Sequence, residues 1–92
     1  MGVLKPGINR LGFLILSILR GSGATGRLSS MTVREIASAE DCGMKENTIF
    51  KKIREFERSG HVGRGLKEGH ADTFFITADG LGLLEEERGK ES

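Results

Sequence analysis

Ile49, Ile53 and Phe56 stand four and three residues apart in a stretch that Gly60 closes. At 3.6 residues per turn these positions share one face of a helix. The residues around them, Lys45, Asn47, Thr48, Lys51 and Lys52, are polar or cationic. Such a segment has to bury one side of a helix running from about Lys45 to Ser59 and leave the other side outward. Met44 is placed to staple against Ile49, and Gly60 to end the helix with Val62 packing back beyond it. Lys45 is a poor cap residue, so this helix start is expected to be less rigid than a capped one, or to be completed by a ligand.

Upstream, Thr32 and Glu35 have the capping-box spacing, with Met31 and Ile36 placed for the hydrophobic staple. A second helix therefore starts at Thr32, carries Val33, Ile36 and Ala37 on one face, and ends within 38–43, where Asp41, Cys42 and Gly43 read as a tight turn. Before it, Ile8, Leu11, Leu14, Ile15, Ile18 and Leu19 mark a helix from Ile8 to Arg20, broadened by Phe13 and Leu16. A stripe that wide fits a helix covered on two sides, the second cover being a partner subunit. Residues 21–27 read as a flexible loop, with Gly21 in the left-handed position that ends the helix and an extended piece over 28–31. The stretch 1–7, with Gly2, Pro6 and Gly7, reads as a loose end.

After Gly60 the pattern changes to period two. Segments 61–66 and 72–77 read as strands of a hairpin around Lys67, Glu68, Gly69 and His70, with Phe74 and Ile76 on one face and Phe75 on the other. Thr77 is placed to cap a last helix from Ala78 to about Arg88, with Leu81 and Leu84 inward. Residues 89–92 are expected to fray.

Composition excludes several classes. The 92 residues form one domain, with 37% hydrophobic and 29% charged residues, too polar for a membrane protein. The apolar run from Leu11 to Leu19 follows Lys5 and Arg10 as in a signal peptide, but Arg20 closes it and it is too short to span a bilayer. Pro6 stands where a myristoylation signal wants Ser or Thr. Cys42 is the single cysteine, which forms no internal disulfide and fits a reducing, cytoplasmic setting. It reads as a small packed residue, with redox sensing left open. Cys42, His61 and His70 do not make a zinc site, and 21–26 lacks the Lys and Ser/Thr of a phosphate loop. No nucleophile and base stand at suggestive spacing. The expectation is neither an enzyme nor a cofactor protein.

Charge is segregated although the net charge is only +1. Segment 45–70 holds seven basic against four acidic residues, and 71–92 two against six. Such a gradient orients a molecule on a polyanion without a large net charge.

The order helix, turn, longer amphipathic helix, hairpin, helix is the helix-turn-helix plan with a wing. The segments MTVREIA, NTIFKKIREFERSGHV and FFITADGLGLL carry a closer likeness. Over about 28–84 the chain resembles the winged helix-turn-helix transcription regulators of the broad MarR and PadR kind. Thr48, Ile49, Ile53, Phe56 and Gly60 match that family's recognition helix, and Ile76, Thr77 and Gly80 its strand-to-helix signature. The resemblance implies an α+β, mainly α fold: a three-helix core, a β-hairpin wing and a short C-terminal helix. It implies a DNA-binding transcription regulator that inserts about 45–59 into a major groove, with the wing over 61–77 on the flanking backbone. Lys45, Asn47, Thr48, Lys51 and Lys52 are then the candidate readers. Asn47 suits adenine, Lys51 guanine, and Thr48 a phosphate or thymine methyl. Arg64 and Lys67 are the candidate wing contacts. Arg64 is also placed to pair with Asp72 across the ribbon, and Lys52 and Arg54 equally suit a solvated face. Phe50, beside the buried stripe, reads as packing. The expected partners are double-stranded DNA and a second copy of the chain, joined through the first helix. Two rivals stay open: a winged-helix module that holds a protein through the Phe50 face or the first helix, and a plasmid or phage replication-type DNA-binding factor.

Overall fold

The computed structural model describes residues 10–39 and 43–90. The loose end at 1–7, the turn residues Asp41 and Cys42, and the last two residues lie outside them. Four helices, α1 (Arg10–Gly21), α2 (Val33–Ala37), α3 (Glu46–Ser59) and α4 (Ala78–Lys90), surround a small antiparallel sheet. Its strands β1 (Met31–Thr32), β2 (Val62–Arg64) and β3 (Thr73–Ile76) lie in the order β1-β3-β2. No helix among the described residues is long and apolar enough to cross a membrane.

One core joins all four helices and the sheet. Ile15, Leu16, Leu19, Ile36, Ile49, Ile53, Phe74 and Ile76 are wholly buried, with Phe56, Val62 and Leu84 nearly so. On α1 the buried face runs through Ile15, Leu16 and Leu19, while Leu14 and Ile18 remain half-buried. The stripe is thus rotated toward Leu16 from the one expected.

The end of α1 also differs from expectation. Gly21 stays helical, and the left-handed residue is Gly23 at φ +78°. The Gly23 N–H donates to the Arg20 carbonyl (3.1 Å) and the Ala24 N–H to the Leu19 carbonyl (2.8 Å). That is a Schellman motif, and its apolar contact is Ala24, buried among the core residues with Leu19. The segment 21–27 is accordingly not the loose loop expected. The Ala24 carbonyl accepts from the Ile76 N–H (2.9 Å), and a 3-10 turn covers Arg27–Ser29 where extended chain was expected. A buried alanine was the anchor that a reading for glycine and serine overlooked.

The capping box at Thr32 forms as read. The Glu35 N–H donates to Thr32 Oγ1 (3.1 Å) and the Thr32 N–H to the Glu35 carboxylate (2.9 Å). In α3, Gly60 at φ +87° closes a second Schellman motif, with the His61 N–H on the Phe56 carbonyl (2.9 Å) and the His61 ring edge-on to Phe56.

The hairpin sits where the period-two pattern put it, with Val62 opposite Ile76 and Gly63 opposite Phe75. A side chain at Gly63 would meet the Phe75 ring at 2.6 Å, so the glycine makes room for it. The expectation did not include β1 as a third strand. Met31 pairs with Phe74 and Thr32 with Thr73, which ties the start of α2 to the hairpin. Thr77 joins α3 to α4: its hydroxyl donates to the Gly60 carbonyl (2.7 Å) and accepts from the Gly80 N–H (3.1 Å). α4 continues to Lys90, beyond the Arg88 expected, and includes Gly89.

The two glycines of α4 make opposite predictions. A Cβ on Gly80 would collide with the His61 carbonyl and lie 2.7 Å from Ile76, whereas one on Gly82 meets nothing. Gly80→Ala is expected to destabilise by about 1–3 kcal/mol through overpacking. Gly82→Ala is expected to stabilise by roughly 1 kcal/mol through helix propensity. Urea denaturation of the two variants checks both; a stable Gly80→Ala would show that α4 does not pack this closely.

Candidate nucleic-acid interface

With Ile49, Ile53 and Phe56 turned into the core, helical geometry decides what α3 presents outward. Asn47, Lys51, Arg54 and Arg58 recur at i, i+4, i+7 and i+11, on the face opposite the buried stripe, and all four are exposed. Lys45 and Thr48 are exposed beside them at the helix start. Lys45 makes no side-chain cap hydrogen bond.

Lys52, expected among the readers, sits on another flank. Its ammonium pairs with Glu55 (3.1 Å) and lies 5.6 Å from the Phe56 ring centre, and its side chain is 18% exposed. Two residues of the outward stripe went unselected in the sequence: Arg54 was left undecided, and Arg58 was passed over. The spacing that marks the apolar face, applied to the polar positions, finds both.

The wing begins directly after α3. Glu68 and Ala71 exchange both backbone hydrogen bonds (2.9 and 3.0 Å) around Gly69 and His70, with Gly69 at φ +65°. A glycine that takes a positive φ suits this two-residue turn. Lys67 is largely exposed near the turn, 3.8 Å from Asp72.

Arg64 is engaged from both sides. Its Nε and Nη2 donate to the Glu57 carboxylate (2.9 and 3.1 Å), its Nη1 donates to Asp72 (2.8 Å), and its guanidinium lies 5.4 Å from the centre of the Phe74 ring. The pair with Asp72 was anticipated, but Glu57 was not. That third member links the wing to α3. The Arg64 hydrogen bond holds the Glu57 carboxyl below its ordinary value; partial burial opposes the shift, and the charges of Arg64 and Arg54 add to it. The Arg64 pKa is raised, chiefly by the same hydrogen bond, so it stays cationic. Between α3 and the wing lies an open recess lined by Glu46, Phe50, Glu68, Asp72 and Phe74, among others.

The comparisons follow the geometry. No protein-family model matches the sequence. The DNA-binding protein TubR of a Clostridium botulinum C phage is 29% identical over 77 residues, covering 84% of this chain and 93% of TubR. The solution structure of the DNA-binding TubR fragment from Clostridium botulinum superposes with a TM-score of 0.67 at 27% identity, over 94% of this chain and 98% of the fragment. BpsR of Bordetella bronchiseptica, whose DNA binding is regulated by 6-hydroxynicotinic acid, superposes with a TM-score of 0.74 at 16% identity, over 91% of this chain. A MarR family transcription regulator also gives 0.74, at 22% identity over 92%. The chain spans 59% and 52% of the lengths of those last two. The fold is a winged helix-turn-helix. In its terms α2 and α3 are the helix pair and β2–β3 the wing.

The Glu57–Arg64 link predicts how stability responds to acid. Because the Glu57 carboxyl is depressed in the folded chain, its contribution is complete above the ordinary carboxyl value and disappears as pH falls through the lowered one. Thermal melts of Glu57→Gln should therefore lie below wild type near neutral pH, by roughly 1 kcal/mol or less for so solvated a pair, and converge with it in acid. An offset that persists unchanged to low pH would show that the difference does not come from the Glu57 charge.

Proposed function

We propose that the chain is a DNA-binding transcriptional regulator that places the first turns of α3 in a major groove and the wing on the flanking backbone. The observation that carries this is the outward stripe of Asn47, Lys51, Arg54 and Arg58 beside a wing fixed to the same helix. Asn47 and Lys51 sit where a recognition helix meets base edges, and Asn and Lys have the donors for adenine and guanine. Thr48 and the uncapped amides of the first turn suit a phosphate, and Lys45 adds charge there. Arg54 and Arg58 follow the groove toward the backbone, and Lys67 extends from the wing. Arg64 serves the interface by holding the wing in place. The end-to-end likeness to a DNA-binding protein supports the same reading. In this reading the chain works as one domain in the cytoplasm, where Cys42 stays a free thiol.

Binding to mixed-sequence duplex DNA across a range of salt concentrations tests the proposal. Affinity should fall steeply with salt, and Lys51→Ala should lower the slope of log K against log salt by about one. Salt-insensitive or absent binding at low salt would favour the protein-holding module instead.

One observation favours a second reading. The DNA-binding protein matched over nearly its whole length belongs to a phage. A plasmid or phage replication-type DNA-binding factor would use the same α3 face. Bound sites clustered at replication origins, rather than at promoters, would decide for it.

The chain is also proposed to act as a homodimer through α1. Leu14 and Ile18, with Ser17, Gly21, Ser22 and Ala39, line a shallow apolar depression on the outside of the core. A second copy there would let two recognition helices read half-sites about 34 Å apart. Leu14→Glu should sediment as a monomer and lose roughly a hundredfold in DNA affinity through lost bivalency, with the fold intact by circular dichroism. A Leu14→Glu chain that dimerises as wild type does would move the interface elsewhere.

A further inference from the structure

Phe50 is a large aromatic on the recognition helix that the core does not claim. It is 38% exposed, while its neighbours Ile49 and Ile53 are wholly buried. The Arg54 guanidinium lies 5.6 Å from its ring centre. The ring forms a wall of two depressions, one running along Lys51, Arg54 and Arg58, the other facing the wing. It lies one turn after Asn47, and helical side chains lean toward the N-terminus, so the ring points to the turn that enters the groove.

The chemistry around it narrows the ligand. The charged residues that line the recess on its wing side are Glu35, Glu46, Glu68 and Asp72 against Arg34 alone, an acidic balance that disfavours a phosphate there. A base edge is neutral, and the apolar group it presents in the major groove is the C5-methyl of thymine. We propose that Phe50 reads sequence by packing its exposed ring against a thymine methyl, with Arg54 holding the ring in place. This rests on the DNA-binding reading above and adds a specificity residue to it.

The experiment separates the two. The full chain is used to select a duplex from a randomised pool, and each thymine of the recovered site is then replaced singly by deoxyuridine, which removes only the methyl. At one or more positions wild type should lose about fourfold in affinity, the worth of one buried methyl group. In Phe50→Ala the ratio at that position should fall to about one, and Phe50→Leu should keep part of it. Lys51→Ala should weaken binding to both duplexes and leave the ratio unchanged. Melting curves of the Phe50 variants should match wild type. If wild type binds every deoxyuridine duplex as well as the parent, or if Phe50→Ala retains the discrimination, the assignment is overturned while DNA binding stands, and the ring is left to a protein partner. If no duplex is recovered, the DNA reading falls and this one with it.

Discussion

The rotation of α3 about its own axis decides what the molecule offers to a partner. Burial of Ile49, Ile53 and Phe56 sets that rotation. Each of these side chains contributes roughly 1.5–3 kcal/mol when fully removed from water, far more than a surface ion pair. A turn of about 100°, one residue's worth, would put charged neighbours into the core at a cost no surface pairing offsets. The apolar face therefore fixes the polar one, and Asn47, Lys51, Arg54 and Arg58 point outward because three other residues cannot. The energy that presents the interface comes from the core, so outward residues can change without moving the helix.

The wing depends on a different kind of constraint. Its ladder has three facing pairs between β2 and β3, and Val62, Phe74 and Ile76 bury its base in the common core. Close contacts at glycine also hold it. Gly63 admits the Phe75 ring, and Gly80 lets α4 pack against the His61 carbonyl where α3 passes into β2. Arg64 does the rest, joining Glu57 of α3 to Asp72 at the far strand. These partners are partly solvated, so the net stabilisation is small and screened by salt. Its effect is geometric: a guanidinium fork held by two carboxylates has few other orientations. The Arg64 donors Nε, Nη1 and Nη2 are thereby all engaged by carboxylates.

Much of this was legible in the residues, for identifiable reasons. The box at Thr32 and Glu35, the left-handed Gly60, the period-two hairpin and the cap at Thr77 are local signals that depend on near neighbours in the chain, and the structure contains each. What was missed depends on how the elements pack against one another. Ala24 anchors the segment after α1 through Leu19 and Ile76, which no local pattern reveals, and Gly21 looked the better terminator because Gly23 gains its role only from that anchor. Glu57 became part of the wing only when folding brought it to Arg64. Lys52 looked like its neighbour Lys51, yet 100° around the helix carries it to a flank where Phe56 and Glu55 hold it. Arg54 and Arg58 are a different case, since the same periodicity applied to polar residues places both on the outward face.

The acidic end of the chain bears on how a protein of net charge +1 approaches a polyanion at all. Glu85, Glu86 and Glu87 lie on α4, where Arg20 of α1 and Arg88 pair with Glu85. Over 45–77, α3 and the wing carry seven basic against five acidic residues, an excess of only two. In a field that falls off over about 10 Å at moderate salt, the near face dominates the encounter, and the distant acid matters mainly by disfavouring the wrong orientation. Segregation therefore achieves with few charges what a uniformly basic surface achieves with many, and it does so without indiscriminate attraction. The carboxylates that remain near the interface have identifiable tasks: Glu35 caps α2, and Glu57 and Asp72 hold Arg64. Glu46 stands in the first turn of α3, where a carboxylate complements the helix dipole, and with Glu68 it lines the recess beside Phe50.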